Sequence, residues 1–467
     1  MKRFMKIRLV QILFLCVFAS FIFACKGANE PNKEEQKVEM FTLSFVEESE
    51  GGIIVATSNN EKLTTGVKLP KGTKIEFVAT AKIGYAVGEW SGAEAENGKT
   101  KATLTLSSDI TVSVQFNNIV PEGFVLVNPP KDGIIGKSID YNVPGDDETE
   151  KAWNKGVFVQ GRKVKISPYV IAKHELTYKL WKEVYDWAIK NQYKFANQGI
   201  EGSDGVEGDP ATDGKKLPVT YISWRDIIVW CNAYTEMKNK GDASECVYLK
   251  SKTEAVPLKD VTQAGECDSV YFDKTKKGFR LPTEAEWELA ARWQGEDTTN
   301  AESYGAIQLT RVDSASGATL PAPAEHIDLP TGKTYPELNK ETQRVAVYNR
   351  WYNGSELEEV TPEVDGAMGV GSKAANYLGL FDMSGNVYEF CFDVFDTDPT
   401  VDDEEYKEGD FIVDPQGSKH SQAQIPGRVR RGGAFLNNAG FSIVGARNEQ
   451  APHLRMNRIG FRLACSL

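Results

Sequence analysis

The chain has 467 residues, 41% of them hydrophobic, enough for two or three domains with cores of their own. Its formal net charge is −12, from 66 acidic against 54 basic residues. That balance leaves no basic patch to neutralise phosphates and excludes nucleic acid as an expected partner.

At the start, Lys2, Arg3, Lys6 and Arg8 precede an apolar run from Leu9 to Ala24, closed by Ile22-Phe23-Ala24-Cys25. A charged opening, a short apolar stretch and a small residue before cysteine predict an export signal over residues 1–25, cleaved and lipidated at Cys25. The alternative is a plain transmembrane anchor, for which the run is short against the ~20 residues a span needs. Lys26 and Gly27 put no aspartate behind the cysteine, so display on the outer membrane, at the cell surface, is expected, with the lipid as the only membrane contact. Residues 26–39 are mostly polar and charged and read as a tether. After Cys16 and Cys25 there remain Cys231, Cys246, Cys267, Cys391 and Cys465, an odd number that leaves at least one thiol unpaired. Cys246 and Cys267 are spaced to bridge a local loop, although the sequence does not fix the pairing. His174, His326, His420 and His453 are scattered and suggest no zinc site.

Residues 40–118 predict a small all-β module. Phe41/Leu43/Phe45, Ile75/Phe77/Ala79 and Ile110/Val112/Val114/Phe116 alternate with polar neighbours, the period of a half-buried strand. Gly51-Gly52, Lys71-Gly72 and Asn97-Gly98 supply turns. The run from Gly72-Thr-Lys-Ile-Glu-Phe through Gly84-Tyr85 and Glu89-Trp90 to Phe116 resembles the divergent internalin B-repeat family. That resemblance implies a spacer or stalk, with Tyr85 and Trp90 as core aromatics.

Residues 119–467 change character, with more Trp and Gly, short helices and long loops. Thr177 precedes Leu180, Trp181, Val184 and Ala188 on one helical face. Ser223-Trp-Arg-Asp226 opens a second helix with Ile227, Trp230, Cys231 and Tyr234 inward. Thr283-Glu-Ala-Glu286 is a capping box that starts a third, with Trp287, Ala290 and Ala291 inward. The stretches 195–215, 291–343 and 396–425 are polar or rich in Gly and Pro and read as surface insertions.

Several blocks in this order carry a family resemblance. They are Tyr169 with Glu175-Leu-Thr177, Pro218-Val219 with Ser223-Trp-Arg-Asp226, and Phe279-Arg-Leu-Pro-Thr-Glu-Ala-Glu-Trp287. After these come Gly379-Leu-Phe-Asp-Met-Ser-Gly-Asn-Val387, Arg428 to Gly433, and Gly460-Phe-Arg462. Together they resemble the FGE-sulfatase family of formylglycine-generating enzymes. The resemblance implies an α+β fold, C-type-lectin-like, with much irregular structure.

In catalytic members of that family Arg-Gly-Gly is followed by Ser-x-x-Cys and a second cysteine five residues on, and the two thiolates hold copper. Aligned from Gly432-Gly433, this chain has Ala434, Asn437 and Ser442 at those places. An amide and a hydroxyl do not replace soft sulfur ligands, and a shared fold does not carry a reaction without its site residues. No Gly-x-Ser-x-Gly elbow offers a hydrolase instead. Cys391 and Cys465 read as buried structural thiols. No catalytic residue, and no required cofactor, is expected.

The resemblance also implies a structural calcium held by Asp382, the carbonyls of Gly385 and Val387, and Glu389, in keeping with the oxygen ligands that Ca²⁺ takes. The other reading makes Gly385-Asn386 a plain turn and Glu389 a solvated or arginine-paired carboxylate. A second calcium position of the family has Val347 where an asparagine would be needed.

A non-catalytic domain of this kind that ends in Arg-Gly-Gly and Gly-Phe-Arg-Leu-Ala resembles the variable proteins of diversity-generating retroelements. There, template adenines are mutated, typically in AAY codons, and the altered side chains face a ligand. Changing only those adenines cannot give Lys, Glu, Gln, Met or Trp, and residues 434–448 contain none of these. Glu449, Gln450 and Met456 depart from the pattern and are reachable from AAR codons. Within 434–458, Phe435, Leu436, Phe441, Ile443, Val444, Leu454 and Met456 are apolar without strand or helix period. Asn437, Asn438, Ser442, Asn448, His453, Asn457 and Arg458 are interspersed. Apolar anchors mixed with adaptable polar groups make a surface like an antibody's combining site, so all of these are candidate contacts for a protein or glycan ligand. The alternative is that they fill the last core strands, as the alternating Ile459, Phe461 and Leu463 do. Two further readings compete with ligand display: an FGE-type copper oxidase or enzyme accessory, and a fixed structural envelope lipoprotein.

Overall fold

The computed structural model describes residues 37–96, 98–400, 407–418 and 425–467. The expected signal, Cys25 and most of the tether lie outside these. Among the described residues no helix is long and apolar enough to cross a membrane.

In residues 40–118 the alternation builds two sheets face to face. One orders strands Val67–Pro70, Met40–Phe45, Ile110–Asn118 and Tyr85–Ser91; the other centres on Gly52–Ser58 and Lys74–Ala81. Leu43, Phe45, Ile54, Ile75, Phe77 and Val112 fill the space between them, with Phe45 edge-on to Phe77 at 6.0 Å. Trp90 packs against this core and donates its indole N–H to the Lys99 carbonyl at 2.6 Å. Tyr85 is a correction: it is half-buried at the margin, and its hydroxyl reaches the exposed Glu50. A phenol in a strand can turn its polar end to water, and periodicity alone does not say which way it turns.

Among the described residues, the larger part of the chain carries six α-helices: α1 (Glu148–Trp153), α2 (Tyr178–Ala188), α3 (Trp224–Lys238), α4 (Ala264–Asp268), α5 (Glu284–Arg292) and α6 (Tyr335–Val345). The caps form as the sequence predicts. Thr177 accepts from the Leu180 amide, while Ser223 with Asp226 and Thr283 with Glu286 form reciprocal capping boxes. α2 lies on α3 through the stacked rings of Trp181 and Trp230 at 5.5 Å, with Phe461 edge-on to both. Each such ring, fully withdrawn from water, contributes roughly 1.5–3 kcal/mol. A second core forms on α5, where Trp287, Leu289, Ala290 and Ala291 meet Leu309, Met383 and Cys391.

The stretch 291–343 does not behave as a surface insertion. Its hairpin Ala301–Tyr304/Ile307–Thr310 and the buried Val312, Ala315, Ala318, Ala322 and Leu338 are core. Its buried side chains are mostly small, so the segment reads as loop by composition although it is packed inside. Among its described residues the segment 396–425 adds two strands, Lys407–Glu408 and Phe411–Val413, the second beside Lys163–Lys165. All five later cysteines are buried and free. Cys246 and Cys267 do not bridge; each thiol instead meets a carbonyl, of Asn232 at 3.4 Å and of Asp260 at 3.7 Å. Cys391 and Cys465 are the buried structural thiols the sequence suggests.

Candidate functional site

The C-terminal segment hangs on one four-stranded sheet. Its order is Arg447–Gln450, Arg428–Arg431, Tyr388–Val394 and Ile459–Gly460. Arg428–Arg431 runs antiparallel to Arg447–Gln450, from Arg428 opposite Gln450 to Arg431 opposite Arg447, so residues 432–446 are the loop of a wide hairpin. Ile459–Gly460 lies parallel to Tyr388–Glu389 on the other side. Beyond it, Ala464–Ser466 pairs with Tyr169–Ala172.

Buried arginines lock this frame to α5. Arg431, fully buried, donates to Glu288 at 2.6 Å and to the carbonyls of Val444, Gly445 and Ala446, so it holds both ends of its own loop. Arg447 forks onto Glu284 with both contacts at 2.8 Å. Arg292 takes the other Glu288 oxygen at 2.7 Å, and Arg280 takes Glu286 at 2.6 and 2.8 Å. Burial raises the Glu284 carboxyl, but the Arg447 and Arg431 guanidinium groups outweigh it and hold the pKa below its ordinary value. Glu284 and Glu288 are therefore the docking points of α5 for the hairpin, while Glu286 between them holds Arg280. Arg428 lies flat on Trp224, 3.7 Å from the ring centre.

The loop leaves the sheet through Gly432 and Gly433, at φ +87° and +74°. A side chain at Gly433 would also meet the Phe441 carbonyl at 2.6 Å, so only glycine fits. Beyond this turn the candidate contacts separate. Phe435, Ser442, Ile443 and Val444 are at most 1% exposed and cannot face a ligand, which corrects the expectation for these four. Ile443 packs with Tyr348 and Trp351, Val444 joins the α5 core, and the Phe435 amide donates to Asn386. Asn437 turns inward enough for its Oδ1 to accept from the Ala434 amide. Leu436, Phe441, His453 and Leu454 are exposed, while Asn438, Asn448, Met456, Asn457 and Arg458 are half-buried. Met456 leans on the main core, and Asn457 donates to the Ser203 carbonyl at 3.2 Å.

Asn438, Phe441 and Asn448 share a cavity of about 380 Å³ with Trp153, Leu357, Tyr388 and the acidic Asp146, Glu150 and Glu325. None of residues 453–458 lines it. Sequence reasoning missed the partners on the far wall. Asp146 and His326 are 180 positions apart, and the second lies in a stretch read as surface loop. No spacing signal joins them. A larger cavity, about 680 Å³, lies between the 201–217 loop and residues 343–373; no candidate contact lines it, although Asn457 bonds Ser203 on its wall.

The calcium set does not assemble as the resemblance implies. Arg462 forks onto both oxygens of Glu389 at 2.6 Å, and the Trp287 indole takes one of them as well at 2.8 Å. Glu389 is thus the arginine-paired carboxylate of the second reading. Gly385 and Asn386 form a tight turn against Val347, at φ +77° and +59°, the Asn386 amide donating to the Val347 carbonyl at 3.0 Å. Asp382 is buried, accepts from the Gly371 amide at 2.6 Å, and leaves its other oxygen without a partner. Its pKa is pushed up to about 6, by burial first. Glu175, enclosed beside Asp382 and Glu389, is held well above the carboxylate range by burial and these like charges. With Glu389 committed to Arg462, these residues do not fit a four-ligand calcium site.

A lectin-like α+β frame whose C-terminal hairpin is locked to α5 by buried arginines defines a protein with the formylglycine-generating type of fold. The chain belongs to that family: the Sulfatase-modifying factor enzyme 1-like domain (FGE-sulfatase) matches residues 138–467. It is similar to "Chaperone protein LppX" of Paenibacillus barcinonensis, 25% identical over 232 residues, which is 50% of this chain and 64% of that protein. It is also similar to the formylglycine-generating enzyme of Thermomonospora curvata, 29% identical over 196 residues, 41% of this chain and 50% of the enzyme. The chain thus spans half to just under two-thirds of the length of these curated relatives. Among solved structures it is similar to Treponema denticola variable protein 1, at 25% identity and a TM-score of 0.44, covering 74% of this chain and 95% of that one.

Proposed function

We propose that this protein is a lipid-anchored surface protein that binds a protein or glycan ligand through the outward residues of segment 434–458, and that it performs no catalysis. The observation that carries the reading is the division of that segment. The loop 432–446 is fixed at its ends by Arg431 and Arg447 on α5, while Phe441, Asn438 and Asn448 open onto a cavity. Such a frame tolerates changes at Leu436, Phe441 and Leu454, whose side chains are exposed and outside the core. The case against copper oxidation rests on chemistry: Asn437 and Ser442 stand where two thiolates are needed. Export and lipidation at Cys25 rest on the basic and apolar N-terminal pattern.

Deep sequencing of the gene's 3′ end in a grown population tests the diversified face. Changes concentrated at adenine positions in codons 434–458, with codons 428–433 and 459–463 fixed, are the expected result. Uniform constancy across both windows would sink the diversification and leave a fixed adhesin or an enzyme remnant. A Cys-containing peptide incubated with the protein and copper is expected to yield no aldehyde.

A further inference from the structure

The cavity beside the hairpin loop is uneven in charge. Trp153, Leu357 and Phe441 give it apolar walls, and Asp146, Glu150 and Glu325 stand among its lining. The positive groups nearby do not balance them. Arg447 is 4% exposed and spent on Glu284. His326 Nε2 sits 3.2 Å from an Asp146 oxygen. Glu325 is exposed and has no hydrogen-bond or ion-pair partner among the described residues, yet ligand atoms of Asp146, Glu325 and His326 all lie within 4.8 Å of one another. Two carboxylates held that close repel unless a cation comes between them. On the loop side, the side-chain N–H groups of Asn438 and Asn448 make no hydrogen bond among the described residues, although the Asn438 Oδ1 accepts from the Gly440 amide and the Asn448 Oδ1 from Arg430 and the Glu449 amide.

We infer that this cavity receives an arginine or lysine side chain presented by a loop of a partner protein. The inference rests on the ligand-face reading and names the partner's chemistry. The alkyl stem lies along Trp153 and Phe441, as long basic side chains do on apolar surface, with the charge near the rings. The charged head meets Asp146 and Glu325, and the Asn438 and Asn448 amides donate to carbonyls of the partner's backbone. A neutral glycan would donate hydroxyl hydrogen bonds to these carboxylates but would leave their charge without a counter-charge.

The test is selection of cyclic peptides from a displayed random library on the full chain, in buffer containing EDTA. Enriched loops are expected to carry Arg or Lys. Their affinity should fall at least tenfold for the Asp146→Asn/Glu325→Gln protein, and by a similar factor when citrulline replaces the loop arginine. Both carboxylates are exposed, so the variant should melt with the parent and a loss of binding reports on contact. Loops that lack basic residues but lose binding to Phe441→Ala would overturn the inference while leaving the ligand face standing. So would loops that bind the double variant unchanged. Enrichment that occurs only without EDTA would assign the carboxylates to a metal ion and overturn it too. No enrichment at all on the parent over Phe441→Ala would count against both the inference and a peptide-binding face.

Discussion

Two regions of one hairpin behave in opposite ways. Its strands, Arg428–Arg431 and Arg447–Gln450, put charged side chains into the interior, each met by a carboxylate or a carbonyl. Its loop does the reverse: Leu436 and Phe441 stand in water at 42% and 45% exposure. Charge inside and hydrophobe outside invert the usual order, for different reasons. A buried fork of hydrogen bonds fixes direction and register, which an oily contact does less well. An exposed aromatic ring that the core does not need is free to meet something else.

The comparison breaks hardest at the frame. Replacing Glu288 by alanine leaves Arg431 and Arg292 enclosed with one carboxylate fewer. The expected cost is about 3–5 kcal/mol in urea unfolding, the usual loss when one partner of a buried pair is removed. A change under 1 kcal/mol would mean that water reaches these guanidinium groups.

Two phenylalanines six positions apart sharpen it. Phe435→Ala should cost about 3–5 kcal/mol because it empties a filled core position. Phe441→Ala should stay within about 0.5 kcal/mol, as surface changes do, while weakening any ligand held at the loop. Equal losses of stability would abolish the distinction between anchor and display.

Asp382 tests the interior through pH. Its folded pKa of about 6 lies above the ~3.9 of an unfolded aspartate, so folding binds its proton more tightly. The associated stability is fully present below about pH 4 and is given up as pH rises through about 6. Asp382→Asn should therefore gain about 1–3 kcal/mol over the parent at pH 8 and nothing at pH 4, read by melting at both values. Calcium should leave the parent's melting temperature unchanged. A rise with calcium would show that the unpartnered Asp382 oxygen faces a cation.

The smallest effect concerns sulfur. Burial pushes the Cys246, Cys267 and Cys465 thiols up to about 12 and raises Cys231 and Cys391 as well. Folded protein should react negligibly with a thiol reagent at pH 8, and dithiothreitol should not shift its melting temperature.

Much of the fold was legible because its signals are local. Thr177, Ser223 and Thr283 announce helix starts, and the alternation at Leu43, Phe45, Ile75 and Phe77 announces strands. The flanks Arg428 to Gly433 and Gly460-Phe-Arg462 were legible through the family resemblance, and the hairpin they frame was not. What the sequence withheld is direction. Phe435 and Phe441 are the same residue in the same irregular stretch, and only the tertiary path decides which one is enclosed. The far wall of the cavity was hidden for a different reason: Asp146 and Glu325 meet only after the intervening chain has folded. The segment 291–343 misled through composition, since the small residues that pack its interior are also those of loops.

One feature of the topology also bears on protein synthesis. Strand Tyr388–Val394 takes a neighbour from Ile459–Gly460, Glu389 takes its counter-charge from Arg462, and Tyr169–Ala172 pairs with Ala464–Ser466. A single-base insertion or deletion within codons 434–458 would garble all of these, because they lie downstream of it. The ribosome's product would then carry an unpaired Glu389 and an open sheet edge, the kind of chain that quality-control proteases remove. A codon swap at Phe441 spares every one of these contacts. Because these strands follow the loop in the chain, folding itself checks the reading frame through which the loop is translated.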